Sequence, residues 1–239
     1  MKKRTGDTLV EVALAVGIFS MVGVAVVSVM VSSTSSAQTA LETTLAREEI
    51  DAQAESLRFI HSAYLSNTDA SSNGYAKLWK LITNNAVTSD FYYSELSEYS
   101  PKTCEEAFSS EVFQKYGFII NPRALSTMNS KTTNNNILKT IYISYKNKRN
   151  KFATASTYPR LIFENDDGGL VDGSSDTLYR AEGIYIIAAE DDGSTTIIGN
   201  NKNTGVGFYD FYIRTCWYGA GANTPSTIST IIRLYKPAS

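Results

Sequence analysis

Few side chains in this 239-residue chain are placed to do chemistry, and the one whose position demands a partner is Glu11. It stands two residues into the apolar run that opens at Leu9. An ionised carboxylate in such a setting costs about 2.5–3.5 kcal/mol on insertion scales. The acid needs a cation, yet Val12 to Leu41 contains no ionisable side chain at all. The fitting partner is an α-amino group, whose pKa of about 8 leaves it largely protonated near neutrality. A cut after Gly6 creates one on Asp7 and makes Glu11 the fifth residue of the shortened chain. Within one helix the two groups lie a turn apart. Between two axially staggered helices, one chain's amine can meet the next chain's Glu11.

The remaining reactive residues are sparse. Cys104 and Cys216 belong to no CxxC or Cys/His cluster, so metal and thioredoxin-type chemistry lack support. They are either a structural disulfide or two buried free thiols. A disulfide needs an oxidising compartment, which the membrane segment described below supplies. Closing a loop of about 110 residues stabilises a fold by roughly 4–5 kcal/mol in the ideal chain-entropy limit. His61 is the single histidine and is expected to pack or face solvent. Glu164, Asp166, Asp167, Asp172 and Asp176 make an acidic, glycine-containing loop that invites a calcium reading. Gly168 falls where the EF-hand template needs a third ligand, so a solvated loop is expected instead. No GxSxG, GxxxxGK[ST], HExxH or complete GxGxxG occurs, and the expectation is a non-enzymatic protein without cofactor or metal.

The elements that must position Glu11 follow from composition. Val12 to Val31 are apolar or small except for Ser20 and Ser28. Twenty helical residues rise about 30 Å, the thickness of a bilayer's hydrocarbon core. Valine is a poor helix former in water, but in lipid a helix satisfies every backbone group. The run is too long for the 7–15-residue apolar region of an ordinary signal peptide. Lys2, Lys3 and Arg4 precede it, which sets the N-terminus on the cytoplasmic side. The whole chain carries 22 basic and 24 acidic groups; without those three residues 19 basic groups remain and the net charge is −5. No other three consecutive basic residues occur, and a nucleic-acid footprint is not expected.

Gly6-Asp7-Thr8-Leu9-Val10-Glu11-Val12, after a short basic leader and before a long charge-free helix, resembles the class III signal of type IV prepilins. The resemblance implies a structural subunit of a type IV pilus-like filament or a secretion-system pseudopilus. It implies prepilin-peptidase cleavage between Gly6 and Asp7, N-methylation at Asp7, and assembly through Glu11. The implied partners are other pilin subunits, the peptidase, and an assembly ATPase with its platform protein. A membrane holds the precursor, and the mature filament is extracellular and meets host or cell surfaces. Adhesion, twitching motility or DNA uptake are the functions of such filaments. Asp7 departs from the family's usual phenylalanine, and the customary proline partway along the helix is missing. Gly17 and Gly23 are the points of softening or of close helix packing. The rival reading is a single-pass anchor displaying an adhesin or enzyme, which needs neither Gly6 nor Glu11.

The expected organisation is a leader over 1–6, a membrane or filament-core helix over 7–38, its continuation over 39–65, and a globular head over 66–239. Ile50, Ala54, Leu57, Ile60 and Tyr64 recur at helical spacing, with Arg47, Glu48, Asp51, Glu55 and Arg58 on the other face. This predicts one helix from about Thr8 to Leu65, roughly 85 Å long. A Ser/Asn-rich break over 67–74, a short helix over 76–84 and an irregular region through Cys104 follow. The remainder reads as strands over 117–120, 139–145, 160–163, 178–188, 195–199, 207–217 and 227–235, with a hairpin turn at Asp191-Asp192-Gly193-Ser194. The predicted class is α+β, an antiparallel sheet packed on the second half of the long helix.

Overall fold

Every large apolar side chain from Leu9 to Val31 is exposed on helix α1, which spans Asp7–Leu65 and begins within a residue of the predicted start. The computed structural model describes residues 7–66, 73–88, 96, 102–129, 134–144, 151–164, 170–171, 177–191, 197–198, 201–202, 207–219 and 222–237. The chain divides into two units, Met1–Thr43 and Thr44–Ser239. In the first, α1 over 9–31 is apolar on every side apart from Glu11 and two serines, the pattern of a helix that belongs in a core or a membrane. It is the one helix among the described residues long and apolar enough to cross a bilayer.

In the second unit α1 is amphipathic as predicted. Ile50, Ala54, Leu57 and Ile60 are buried in the main core and Tyr64 packs against it, while Arg47, Glu48, Asp51, Glu55 and Arg58 are exposed. A polar residue interrupts the stripe: Gln53 is fully buried. Its amide donates to the Ile120 carbonyl at 2.9 Å and accepts from the Ile120 N–H at 3.0 Å. The side chain thus pairs with a strand end as a neighbouring strand would, satisfying two backbone groups that have left water. Helix α2 (Gly74–Thr83), against 76–84 predicted, starts at an Asn73 cap and buries Ala76, Leu78, Trp79 and Ile82.

The chain is α+β, as expected. A five-stranded antiparallel sheet has the order β11 (Ser226–Tyr235), β10 (Phe208–Trp217), β7 (Ile184–Asp191), β1 (Phe118–Ile120) and β2 (Ile141–Ile143). Strand β10 is buried on both faces. Tyr209 and Phe211 meet the Trp79 ring at 5.7 and 5.8 Å on one face. On the other, Arg214 donates to the Leu96 carbonyl, and Cys216 forms a disulfide with Cys104. Strand β11, at the edge, alternates inward and exposed residues as its sequence predicts. A second sheet has the order β3 (Phe152–Ala153), β6 (Thr177–Glu182), β4 (Arg160–Glu164) and β5 (Leu170–Val171).

Several strand expectations need correction. The single strand over 178–188 is two strands in different sheets, β6 and β7, divided at Gly183. There φ is +67°, and a Cβ would lie 2.6 Å from the Ala155 Cβ and 2.7 Å from the Cys216 carbonyl oxygen. Only glycine fits that corner. Strand 195–199 is described only as β8 (Ile197–Ile198), which pairs with β9 (Asn201–Lys202) and not with β7 as a hairpin. Both edges of β7 are taken: β10 lies along one, and β1 with the Val87 bridge to Ala189 lies along the other. Asp192, Gly193 and Ser194 lie outside the described residues, as do 67–72 of the predicted break.

Among the described residues, the region expected to be irregular and then all β contains the short helices α3 (Cys104–Ser109), α4 (Glu111–Tyr116), α5 (Pro122–Thr127) and α6 (Asn134–Thr140). Local capping explains three of them. Thr103 Oγ1 accepts from the Glu106 N–H while Glu106 accepts from the Lys102 N–H, a near capping box. Ser110 caps α4, and Asn121 caps α5 ahead of Pro122 at its first turn. The strand expected over 139–145 is therefore the end of α6 followed by three residues of β2, set by their pairing with β1.

Candidate functional site

Of the predicted assembly residues, Gly6 lies outside the described residues, and Asp7 is the first helical residue of α1. Glu11 sits one turn on, exposed, and among the described residues no side chain or backbone group meets its carboxylate. Its surroundings on α1 are hydrocarbon, with exposure from 47% at Val26 to 80% at Phe19. Of the two serines in this stretch, Ser20 is internally satisfied: its Oγ donates to the Val16 carbonyl at 2.8 Å. That back-bond lets a serine sit in an apolar medium without an orphaned donor. Glu11 has no equivalent, so the sequence-level problem of its missing partner persists in the folded chain. A Cβ on Gly17 or Gly23 would meet nothing within 4 Å, so space inside the single chain does not require either glycine.

The two cysteines are brought together. Cys104 and Cys216 are disulfide-linked across 112 residues with Cα atoms 5.4 Å apart, and both are buried. The bond ties the start of α3 to the end of β10 and fixes a segment distant in sequence against the sheet. His61 is a packing residue: its ring lies 4.9 Å from Trp79, and Nε2 lies 2.9 Å from the Tyr235 carbonyl oxygen. Glu164 ends β4, while Asp166, Asp167, Asp172 and Asp176 lie outside the described residues. No group of three or more potential metal ligands occurs among the described residues.

One pocket in the second unit was not anticipated. It encloses about 280 Å³ between α1, the start of α5 and the approach to β4. Leu45, Ala52, Pro122, Pro159 and Leu161 form apolar walls, and Glu48, Glu49, Arg123, Tyr158 and Phe163 complete the lining. Arg123 sits over the Phe163 ring with its guanidinium carbon 3.7 Å from the centroid. Its Nη1 is shut off from water and has no hydrogen-bond partner. Burial pushes the Glu49 carboxyl up to about 7, against a donated Leu161 N–H and the Arg123 charge, and Glu48 adds to the rise. The sequence signal was slight: Glu49 neighbours Ile50 at the margin of the polar face, and Arg123 follows an Asn-Pro helix start. Their meeting is tertiary. Compared with known families, with curated proteins and with solved structures, the chain matches none.

Proposed function

We propose that this chain is a structural subunit of a type IV pilus-like filament, inserted in a membrane as a prepilin and cleaved between Gly6 and Asp7. The observation that carries the reading is Glu11, an exposed carboxylate without a partner among the described residues, on a helix whose other large side chains over 9–31 are apolar and exposed. A helix of that surface needs lipid or other helices around it. The carboxylate then needs a cation that the stretch itself lacks. In the filament the Asp7 amine of one subunit pairs with Glu11 of the next, which neutralises two costly groups and fixes the axial stagger. The head, held together by the core around Leu57 and by the Cys104–Cys216 bond, is displayed outside the membrane, where the disulfide is stable. Adhesion, motility or DNA uptake would be the filament's work, through other pilin subunits, the prepilin peptidase and the assembly ATPase and platform.

The test is Glu11→Ala in the producing cell. Membrane insertion should be retained or improved, because a carboxylate is removed from the apolar run. Filaments should disappear from electron micrographs of sheared surface fractions. Normal filaments from the Glu11→Ala chain would remove the basis of the reading and leave a single-pass anchored ectodomain.

A further inference from the structure

The pocket beside Glu49 has the properties of a ligand site rather than of a packing defect. Leu45, Ala52, Pro122, Pro159 and Leu161 give it apolar walls, yet a guanidinium and a carboxyl share its lining. The Arg123 guanidinium lines the pocket, and its Nη1 has no hydrogen-bond partner, so its donor capacity is not used up within the chain. The cation–π contact with Phe163 holds the guanidinium in place but supplies no acceptor. The Glu49 carboxyl lies near enough for its charge to feel Arg123, yet the two form no ion pair within 4 Å among the described residues. Helix α1 contributes Glu48 and Glu49, the α5 start contributes Arg123, the approach to β4 contributes Tyr158, and β4 itself contributes the Leu161 N–H. Those are the charged and polar groups that face the Glu49 carboxyl from the elements packed on it. Glu48 is exposed, and solvent screens it.

We propose that this pocket binds a small organic monocarboxylate with an apolar body, its carboxylate accepting from the Arg123 guanidinium beside the Glu49 carboxyl. With Glu49 neutral, the interior carries one positive charge, which complements one negative charge on the ligand. The guanidinium fork matches carboxylate geometry, and Leu45, Ala52, Pro122 and Leu161 take the hydrocarbon. A volume of about 280 Å³ suits a ligand of about ten non-hydrogen atoms. Ionised Glu49 would offset the Arg123 charge and repel the ligand, so affinity belongs to the acid side of neutrality. The site is independent of filament formation and stands or falls by itself.

The probe is phenylacetate, with the uncharged 2-phenylacetamide as its control, titrated into the full chain in detergent micelles and followed by calorimetry or saturation-transfer NMR. Phenylacetate should bind at pH 6 and about tenfold more weakly at pH 8, as the Glu49 proton is lost around pH 7. The amide should bind at least tenfold more weakly than phenylacetate at pH 6. Arg123→Gln should abolish binding, with circular dichroism showing that the variant is folded. Glu49→Gln keeps a donor without a titrating proton, so it should bind phenylacetate equally at pH 6 and 8. This second variant decides the matter should Arg123→Gln fail to fold. No binding of phenylacetate at pH 6, equal binding of the amide, or an unchanged pH profile in Glu49→Gln would overturn the proposal.

Discussion

Replacing Gln53 tests how the long helix is held to the sheet. Its amide is fully buried and pairs with both backbone groups of Ile120, at 2.9 and 3.0 Å. Gln53→Leu keeps the volume nearly constant but leaves a buried N–H and a buried C=O without partners. At about 1–3 kcal/mol each, less some gain in apolar burial, the loss should be about 2–5 kcal/mol. Gln53→Glu separates the hydrogen bonds from mere shape. A protonated glutamate can donate to the Ile120 carbonyl and accept from its N–H as glutamine does, whereas a carboxylate cannot donate and carries an uncompensated charge. Its folded-state pKa is therefore raised above the unfolded value of about 4.3. Between those two values the folded chain holds a proton that the unfolded chain has lost. Stability relative to the parent thus falls with rising pH by about 1.4 kcal/mol per unit, and the fall ends above the raised pKa. Trp79 and Trp217 are both buried in the second unit, so denaturant titrations read by tryptophan fluorescence at pH 5 and pH 7.5 report on it. Near-parental stability of Gln53→Glu at both pH values, or of Gln53→Leu at either, would refute the reasoning.

Three further outcomes follow from the same structure. Cys104→Ser with Cys216→Ser removes a cross-link over 112 residues and should lower stability by about 5 kcal/mol in the chain-entropy limit, seen as an earlier denaturant midpoint; an unchanged midpoint would contradict this. Glu49, raised from 4.5 to about 7, makes the parent less stable as pH rises between those values, by at most about 3 kcal/mol, and Glu49→Gln should flatten that part of the stability profile. Gly183→Ala forces a side chain into a left-handed corner against Ala155 and the Cys216 carbonyl, so it should cost at least about 1–2 kcal/mol in denaturant titration; a neutral result would mean the corner relaxes freely.

The features legible in the sequence are those with a long repeat. The charge-free run over 12–41 and the stripe through Ile50, Leu57 and Ile60 determine α1, and period-two alternation determines β11. Gln53 was legible in principle, since it occupies an inward place between Ile50 and Leu57, where a glutamine must find partners or pay for burial. The short helices announce themselves through Thr103, Ser110 and Asn121, but six-residue helices lack the apolar periodicity that separates helix from strand. The β6–β7 corner hides in a stretch that reads as one strand, because what bends it is the approach of Ala155 and Cys216 from elsewhere in the chain. The same holds for the Glu49–Arg123 pocket, whose members are brought together only by folding.

The central claim concerns the start of the mature chain, and intact-mass and N-terminal peptide mass spectrometry on the protein from its native membrane or surface fraction tests it most directly. The account predicts a chain beginning at Asp7, the residue that opens α1, with any methyl group visible in the same spectrum. A chain beginning at Met1 or Lys2 would contradict it and point to a plain anchor, and one beginning near Gln38 would point to an ordinary secreted protein.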